Sequence, residues 1–241
     1  MTAEYTPSEL LAVTASRLLE DGKIVFAGVG TPLLASILAR TTHAPTLTIV
    51  VEGGIIAPEV KPGELPISTN EMRAGRHAMV LTGITDLFLM AQRGFFDYGF
   101  LGGAQIDPWG NINTSQLGPF EAPKVRLPGS GGANDIASHC REVLITTMHE
   151  PRRFVEHLDF VTSPGTHATR VVTNLALIDF DPGDHRMRMI GLQPGVSLHQ
   201  VREATGFDLP AADSVTEMAP PSMEELTALR ALDGRPKPVR A

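Results

Sequence analysis

Two short apolar runs joined by a helical segment constrain the fold of this chain more than any other feature. Lys23–Ala27 and Leu47–Val51 are uninterrupted and rich in β-branched residues, which predicts two buried strands. Between them, Gly28-Val29-Gly30 predicts a tight turn, and a helix is expected from about Pro32 to Arg40. A strand, a crossover helix and a second strand form one βαβ unit, in which the two strands run in parallel.

Antiparallel pairing is also predicted, in the second half of the chain. Val171–Phe180 and Met187–Leu192 are apolar runs on either side of Asp181-Pro182-Gly183-Asp184, which is typical of a hairpin loop. Capping residues predict helix starts at Thr6, Ser197 and Ser222. The chain is therefore expected to be an α/β protein with an open, mixed, mostly parallel sheet flanked by helices.

The domain organisation is expected to be simple. No linker, internal repeat or low-complexity tract divides the sequence, which predicts one domain over residues 1–241 with a tail from about Gly234. Residues 52–76 are irregular and rich in glycine, proline and serine. Because long irregular segments in compact domains usually serve a function, we expect this one to cover a site.

Composition and charge argue against several classes of function. The formal net charge of −7 disfavours nucleic-acid binding, which needs clustered lysine and arginine side chains. We expect no membrane span and no signal peptide, because no apolar stretch is long enough and no basic region precedes one at the N-terminus. The single cysteine, Cys140, fits a reducing compartment, so a cytoplasmic location is expected. Scattered histidines and one cysteine predict no metal site.

Glu52 directly follows the predicted strand Leu47–Val51 and is itself followed by Gly53-Gly54. The carboxyl end of a parallel strand is where open α/β sheets bind their ligands. The two glycines allow a sharp turn and the close approach of another molecule. Glu52 is therefore a candidate nucleophile or base, and the alternative is a glutamate that only opens a loop.

A glycine-rich segment further along the chain predicts a backbone site for an anion. Gly129-Ser130-Gly131-Gly132-Ala133-Asn134 leads into a predicted helix. Successive N–H groups in such a turn can point at one oxyanion or phosphate. A nucleophilic carboxylate together with oxyanion donors is the minimum equipment for acyl transfer.

Three other motifs do not meet the requirements of the chemistry they suggest. Gly28-Val29-Gly30 begins like a dinucleotide fingerprint, but Leu33 stands where the third glycine belongs. Cys140 follows His139 directly, and adjacent helical residues point to different faces, so an inert buried cysteine is expected. Gly129-Ser130-Gly131 lacks the spacing of a hydrolase nucleophile elbow.

Four sequence blocks together resemble the β subunit of family I CoA-transferases, and the glutaconate CoA-transferase type most closely. The blocks are Ile49–Gly54, Gly102–Asn111, Gly129–Asn134 and Asp159–Gly165, within a resemblance that runs from about residue 6 to 232. In that family the glutamate of an E-x-G block at a strand end is the catalytic nucleophile. The matching position in this sequence is Glu52.

The resemblance also implies the surroundings of the nucleophile. The oxyanion and CoA-binding positions would be Gly28, Val29, Gly30, Gly131, Gly132, Ala133 and Asn134, and the substrate-side positions would be Gly53 and Gln105. It implies no permanently bound cofactor, because coenzyme A enters as the thioester substrate. The implied partner is an α-type CoA-transferase chain, in an α2β2 or larger hetero-oligomer that acts on an acyl-CoA and a carboxylic acid.

Other activities stay open at this point. Relatives with this fold include acyl-CoA hydrolases, carbon–carbon-bond-cleaving hydrolases and decarboxylases, as in steroid-ring catabolism. Those relatives depart from the transferase pattern around the glutamate or take their key acid from the α chain, whereas Glu52 here keeps its context. The glutaconate type implies a dicarboxylic or otherwise polar acyl group. The non-enzyme alternative is a ligand-sensing regulator. The sequence contains no appended DNA-binding segment, which argues against this alternative.

Overall fold

The computed structural model of the chain describes residues 4–233, and the predicted tail from Gly234 lies outside them. The first elements are α1 (Pro7–Ser16), β1 (Ile24–Phe26), α2 (Thr31–Thr42), β2 (Thr48–Val51), β3 (Ile55–Ile56), β4 (Val80–Leu81) and α3 (Ile84–Gln92). Then come β5 (Tyr98–Leu101), β6 (Gln105–Ile106), β7 (Ile112–Asn113), β8 (Gln116–Leu117), β9 (Val125–Arg126), α4 (Ala133–His139) and β10 (Glu142–Thr146). The last are β11 (Ala168–Val172), β12 (Ala176–Phe180), β13 (Met187–Leu192), α5 (Leu198–Glu203), β14 (Ala211–Glu217) and α6 (Met223–Asp233).

The chain separates into two compact units. Of the described residues, 4–90 together with 221–233 form one unit, and 91–220 form the other. The expectation of a single domain over residues 1–241 stays a prediction.

The first unit contains the predicted βαβ arrangement. β1 and β2 pair in parallel, with Phe26 opposite Val50, and α2 connects them. β3 and β4 continue this sheet with antiparallel pairing, in the order β1-β2-β3-β4. Because β1 and β2 run in the same direction, the residues that follow them leave the sheet at the same edge.

Helices of the first unit pack through a small apolar cluster that consists of Ala12, Val13, Leu38 and Leu229. α1 begins at the predicted capping box: Thr6 Oγ1 accepts from the Glu9 N–H, and the Glu9 carboxylate accepts from the Thr6 N–H at 2.7 Å. The same reciprocal pair occurs at Ser222 and Glu225 before α6. These caps satisfy N–H groups that a helix start leaves unpaired.

In the second unit, six strands lie in the order β14-β13-β12-β11-β10-β5. β10 pairs in parallel with β5 and β11, while β12 pairs antiparallel with both of its neighbours. The hairpin predicted around Asp181–Asp184 is confirmed, since this segment joins β12 to β13.

The apolar run Val171–Phe180 contributes to two strands, because a tight turn divides it. The Thr173 Oγ1 accepts from the N–H groups of Leu175 at 3.1 Å and Ala176 at 2.9 Å. This turn separates β11 from β12, which pair antiparallel. The strand β14 was not predicted from the sequence, because its residues are mostly polar and show no clear apolar alternation. In the structure these residues are half-buried or exposed.

The segment 52–76 has more regular structure than its sequence predicts. β3 follows β2 after the turn Glu52–Gly54, and a short 3-10 helix lies at Met72–Gly75. A strand of two residues has no periodicity that a sequence pattern can reveal.

Candidate functional site

Glu52 is the first residue of the turn between β2 and β3, at the carboxyl end of β2 as predicted. Its side chain is partly buried. Among residues 4–233, the Glu52 carboxylate has neither a hydrogen-bond donor nor an ion-pair partner. A carboxylate without an internal partner keeps its lone pairs available for an external group, which a nucleophile requires.

The two glycines after Glu52 are required by close packing. A Cβ atom on Gly53 would overlap the carbonyl oxygen of Thr69, and one on Gly54 would overlap that of Thr82. Gly54 also has φ of +89°, a conformation that side chains disfavour. The Thr82 N–H donates to the Gly54 carbonyl at 2.8 Å. The loop 57–79, through Thr69, and the link between β4 and α3, through Thr82, therefore fix the turn that presents Glu52.

The turn after β1 offers unused backbone donors. Ala27 N–H donates to the Val50 carbonyl at 2.9 Å, which aligns the ends of β1 and β2. The next N–H groups, those of Gly28, Val29 and Gly30, have no acceptor among the described residues. They precede the positive end of α2, so the turn can stabilise negative charge.

A cavity of about 480 Å³ lies at the same end of α2. Its walls are Val29, Gly30, Leu33 and Leu34 on one side and Gly63, Leu65, Pro66 and Ile67 on the other. The second wall is held in place because the Gly63 N–H donates to the Leu232 carbonyl at 3.1 Å and the Ile67 N–H donates to Glu71 at 2.7 Å. The hydrogen bond from the Arg73 guanidinium is the main reason that the pKa of Glu71 lies below its ordinary value, and the Ile67 N–H is the second.

In the second unit, the predicted glycine-rich turn leads into α4, which Gly132 caps. The Ala133 N–H donates to the Ser130 carbonyl at 2.9 Å, and the Asn134 N–H donates to Ser130 Oγ at 3.3 Å. The N–H groups of Gly131 and Gly132 have no acceptor among the described residues. Of the predicted donors in this turn, the backbone amides of Gly131 and Gly132 are therefore the ones left for an anion.

Gln105 has a buried side chain whose polar atoms are all engaged within the second unit. Its Oε1 accepts from Asn113 Nδ2 at 2.7 Å and from the Asp159 N–H at 3.2 Å. Its Nε2 donates to Asp159 Oδ2 at 3.0 Å. The side chain thus joins two blocks of the predicted resemblance, and its expected position on the substrate side stays a prediction.

Thr162 was missed by the sequence reasoning, although it connects several segments beside the glycine-rich turn. Its Oγ1 accepts from the Thr114 N–H at 2.9 Å and lies 2.7 Å from Ser115 Oγ. Its carbonyl accepts from Asn134 Nδ2 at 3.2 Å. A threonine in a loop has no local signal for such a role, because its partners are distant in sequence.

Two buried groups that resemble catalytic side chains are structural. Burial raises the pKa of Cys140 to about 12, so this thiol is inert as expected. Burial lowers the pKa of His149 to about 4, and the ring nitrogens lie 3.0 Å from Thr173 Oγ1 and 2.9 Å from Thr205 Oγ1. Residues 4–233 contain no cluster of three or more potential metal-binding side chains, and none of their helices is long and apolar enough to cross a membrane.

Comparison with known proteins identifies the class to which this fold and site belong. The model of the coenzyme A transferase family matches residues 8–204. The chain belongs to this family, as a B-type component of an enzyme.

Two curated relatives are CoA-transferase subunits. The chain is 38% identical over 247 residues to the B subunit of 3-oxoadipate CoA-transferase from Pseudomonas knackmussii, covering 96% of this chain and 94% of the relative. It is 34% identical over 240 residues to the B subunit of glutaconate CoA-transferase from Acidaminococcus fermentans, covering 90% and 88%. The crystal structure of the A. fermentans enzyme superposes with a TM-score of 0.89 and 31% identity, over 96% of both chains. This likeness confirms the predicted open, mixed, mostly parallel sheet flanked by helices.

Two further relatives have different activities. The cholesterol ring-cleaving hydrolase IpdB subunit of Mycobacterium tuberculosis is 28% identical over 246 residues, covering 94% of each chain. The decarboxylase AibA/AibB superposes with a TM-score of 0.87 and 26% identity, over 95% of each chain.

Proposed function

We propose that this chain supplies the nucleophile of a CoA-transferase, which moves CoA between an acyl-CoA and a carboxylic acid through a thioester on Glu52. The observation that carries the proposal is the free carboxylate of Glu52 on a turn fixed by backbone packing at Gly53 and Gly54. The identity to the B subunits of two transferases supports it further.

The proposed reaction begins with attack of the Glu52 carboxylate on the thioester carbonyl. CoA thiolate leaves, and the donor acyl group is held as a mixed anhydride with Glu52. The thiolate then attacks the Glu52 carbonyl carbon, which forms the glutamyl-CoA thioester and releases the donor acid. An acceptor carboxylate reverses both steps: it expels the thiolate to form a new anhydride, and the thiolate attacks the acceptor acyl carbon and frees Glu52.

Negative charge develops on a carbonyl oxygen at each tetrahedral step. Three free N–H groups follow β1 at Gly28–Gly30, and β1 ends beside β2. Fixed amide donors of this kind stabilise an oxyanion without reorganisation, and removal of one such donor typically costs about 100-fold or more in rate. Gly131 and Gly132 are proposed as anion-binding positions as well, through their unused amides.

The proposed assembly includes an α-type subunit. The names of the relatives support it, because they describe B subunits or the pair AibA/AibB. Large apolar side chains on the surface of the first unit also support a covering chain, for example Ile67, Met79 and Leu81. Such a chain would exclude water, which otherwise hydrolyses the anhydride and the thioester. For the acyl group, the relatives named for 3-oxoadipate and glutaconate support a dicarboxylate.

The test is to trap the covalent intermediate. The chain and its α-type partner are incubated with an acyl-CoA and no acceptor, reduced with borohydride and digested for mass spectrometry. We expect the modification on Glu52, and the same labelling in a variant with Glu59→Gln, an exposed carboxylate on the following loop. Labelling of a different carboxylate, with Glu52 unmodified, would falsify the assignment.

A hydrolase or decarboxylase is the second candidate function, supported by the likeness to IpdB and AibA/AibB. A thioester hydrolase would release free thiol from an acyl-CoA at the same rate with and without an acceptor acid, whereas a ring-cleaving hydrolase would break a carbon–carbon bond and release no thiol. A decarboxylase would release carbon dioxide and keep the thioester, whereas a transferase forms the CoA ester of the acceptor acid without net release of thiol. Chromatography of the CoA products together with a thiol assay therefore separates these activities.

A further inference from the structure

We propose that the basic segment Arg73–His77 binds the phosphate groups of coenzyme A, with the pantetheine arm lying along the edge strand β4. This inference rests on the proposed function of Glu52 and assigns the place where the CoA part of the thioester is held. It concerns the part of the substrate that all acyl-CoA donors share, so it does not depend on the identity of the acyl group.

The charge of the segment carries the first step. Arg73, Arg76 and His77 are exposed, in a chain whose formal net charge is −7. Arg73 is paired with Glu71, so these two charges largely offset each other. The Arg76 guanidinium has no acceptor among the described residues, and the neighbouring backbone N–H of His77 has none either. A guanidinium without a carboxylate partner can bind a phosphate group through two parallel hydrogen bonds.

Strand β4 connects this segment to the turn that presents Glu52. At one end of β4, the Thr82 N–H donates to the Gly54 carbonyl at 2.8 Å. At the other end, the Met79 N–H donates to a carbonyl of β3 at 3.1 Å, and the basic segment ends two residues before Met79. A molecule that extends along β4 therefore runs from the neighbourhood of Glu52 to the basic segment.

The outer edge of β4 is open to such a molecule. Among the described residues, β4 is the last strand of its sheet and pairs only with β3. The Thr82 N–H points to β3, and N–H groups alternate in direction along an antiparallel strand, so the Leu81 N–H points to the open edge. The amide groups of pantetheine can pair with this edge in the way that an added strand does.

The length of the pantetheine arm agrees with this path. About 13 bonds separate the sulfur atom of CoA from the first phosphorus atom, which gives an extended length of roughly 16 Å. The chain from Thr82 to Arg76 spans at most about 20 Å, and it is shortened by a turn in which the Ala78 N–H donates to the Gly75 carbonyl. A sulfur atom beside Glu52 therefore leaves the first phosphate within reach of the Arg76 side chain.

The binding experiment uses the full chain with its α-type partner and measures the affinity for CoA, 4′-phosphopantetheine and pantetheine by calorimetry. We expect Arg76→Glu to weaken the binding of CoA and of 4′-phosphopantetheine by about tenfold to a hundredfold, because an attraction to phosphate becomes a repulsion. The affinity for pantetheine, which has no phosphate, should not change. The Arg76 side chain is exposed and has no partner among the described residues, so folding should tolerate the substitution.

Three outcomes would overturn the inference. The first is an unchanged affinity for CoA in Arg76→Glu, and the second is an equal loss for pantetheine. The third is a loss for CoA but not for 4′-phosphopantetheine, because the length of the arm places the first phosphate at Arg76.

Arg93→Glu is the matched control. Arg93 is also exposed and without an acceptor among the described residues, and the nine residues of α3, about 13 Å of helix, separate it from β4. We expect this variant to bind all three ligands like wild type. The same loss as in Arg76→Glu would reveal a general effect of charge and contradict the assignment.

Substitution in β4 tests the path of the arm. Leu81→Pro removes the outward N–H at an open sheet edge, where proline is tolerated, whereas Leu81→Ala removes the same side chain and keeps the N–H. We expect pantetheine to bind about threefold to tenfold more weakly to Leu81→Pro than to Leu81→Ala. Equal affinities in the two folded variants contradict the path along β4. Circular dichroism checks folding, and Arg76→Glu decides the inference if Leu81→Pro does not fold.

The two proposals can fail separately. Borohydride labelling of Glu52 at saturating acyl-CoA reports on the mechanism and should persist in Arg76→Glu, because this variant leaves the nucleophile in place. Labelling of Glu52 together with unchanged CoA affinity in Arg76→Glu would remove the CoA site and retain the mechanism. Weaker CoA binding in Arg76→Glu, without labelling of Glu52 in wild type, would do the opposite.

Discussion

At the scale of single residues, the geometry around Glu52 makes the length of its side chain decisive. The carboxylate projects from a turn whose backbone is fixed at Gly53 and Gly54. The turn cannot move to compensate for a shorter side chain. The rate at which the Glu52 carboxylate attacks the thioester is therefore expected to fall when the side chain loses one methylene.

Glu52→Asp should separate transfer from hydrolysis. The substitution retracts the carboxylate by roughly 1.5 Å, and a misplacement of about 1 Å can cost on the order of 100-fold in rate. We expect CoA transfer to fall by about that factor while acyl-CoA hydrolysis is retained or increases, with the carboxylate acting on water as a general base. Free thiol release measures hydrolysis, and formation of the CoA ester of the acceptor acid, followed by chromatography, measures transfer. Glu52→Ala should lose both activities, and transfer at the wild-type rate in Glu52→Asp would contradict the mechanism.

Gly54→Ala should destabilise the first unit. The new Cβ atom would overlap the Thr82 carbonyl, and φ of +89° adds backbone strain. Together these predict a loss of about 2–4 kcal/mol in the free energy of unfolding. Urea denaturation measures the change. Gly28→Ala is the control for stability, because a Cβ there meets no atom within 4 Å. Equal stability of the two variants would contradict the packing argument.

At the scale of secondary-structure elements, the buried side chain of His149 joins the ends of β11 and α5. Its ring nitrogens lie within hydrogen-bond distance of Thr173 and Thr205, and its face stacks on Phe154 with ring centres 4.1 Å apart. The neutral ring fits this site, whereas the protonated ring would be a buried charge without a counterion among these contacts.

Stability should therefore decrease as the pH falls. The pKa of His149 is lowered by burial to about 4, whereas an unfolded histidine titrates near 6.5. The contribution of the neutral ring is complete above pH 6.5 and is lost as the pH falls from there to about 4. Between pH 7 and 5 we expect the free energy of unfolding to decrease by about 2 kcal/mol through this residue.

The comparison of denaturation curves at the two pH values tests this contribution. His149→Gln should show a smaller decrease than wild type. His199→Gln should behave like wild type, because the His199 side chain is 78% exposed. An identical pH dependence in wild type and His149→Gln would exclude His149 as the source.

At the scale of the whole molecule, the proposed activity depends on a second chain. The family and its named B subunits motivate this expectation, and exposed apolar residues such as Met79 and Leu81 fit it. We expect the chain alone to show at most about 1% of the CoA-transfer rate of the co-expressed complex, because loss of correct positioning typically costs about 100-fold. Size-exclusion chromatography and transfer assays on both preparations measure this. Full activity of the isolated chain would contradict it.

The sequence alone determined the features that depend on neighbouring residues. The apolar runs Lys23–Ala27 and Leu47–Val51 and the turn between them predicted the parallel pair β1 and β2. The capping boxes at Thr6 and Ser197 predicted helix starts, because a cap is a contact between residues three positions apart. The place of Glu52 at the end of a strand followed from the same local reasoning.

Only the tertiary structure decided the features that join distant residues. Gly53 and Gly54 were predicted to turn the chain, but their packing against Thr69 and Thr82 depends on how the loop folds back. The cavity is built from two segments that have no sequence pattern in common. The side chain of Gln105 is engaged by Asn113 and Asp159, which no local periodicity brings together. Local patterns record which residues prefer a helix, strand or turn, whereas the partners of a buried polar group are set by long-range packing.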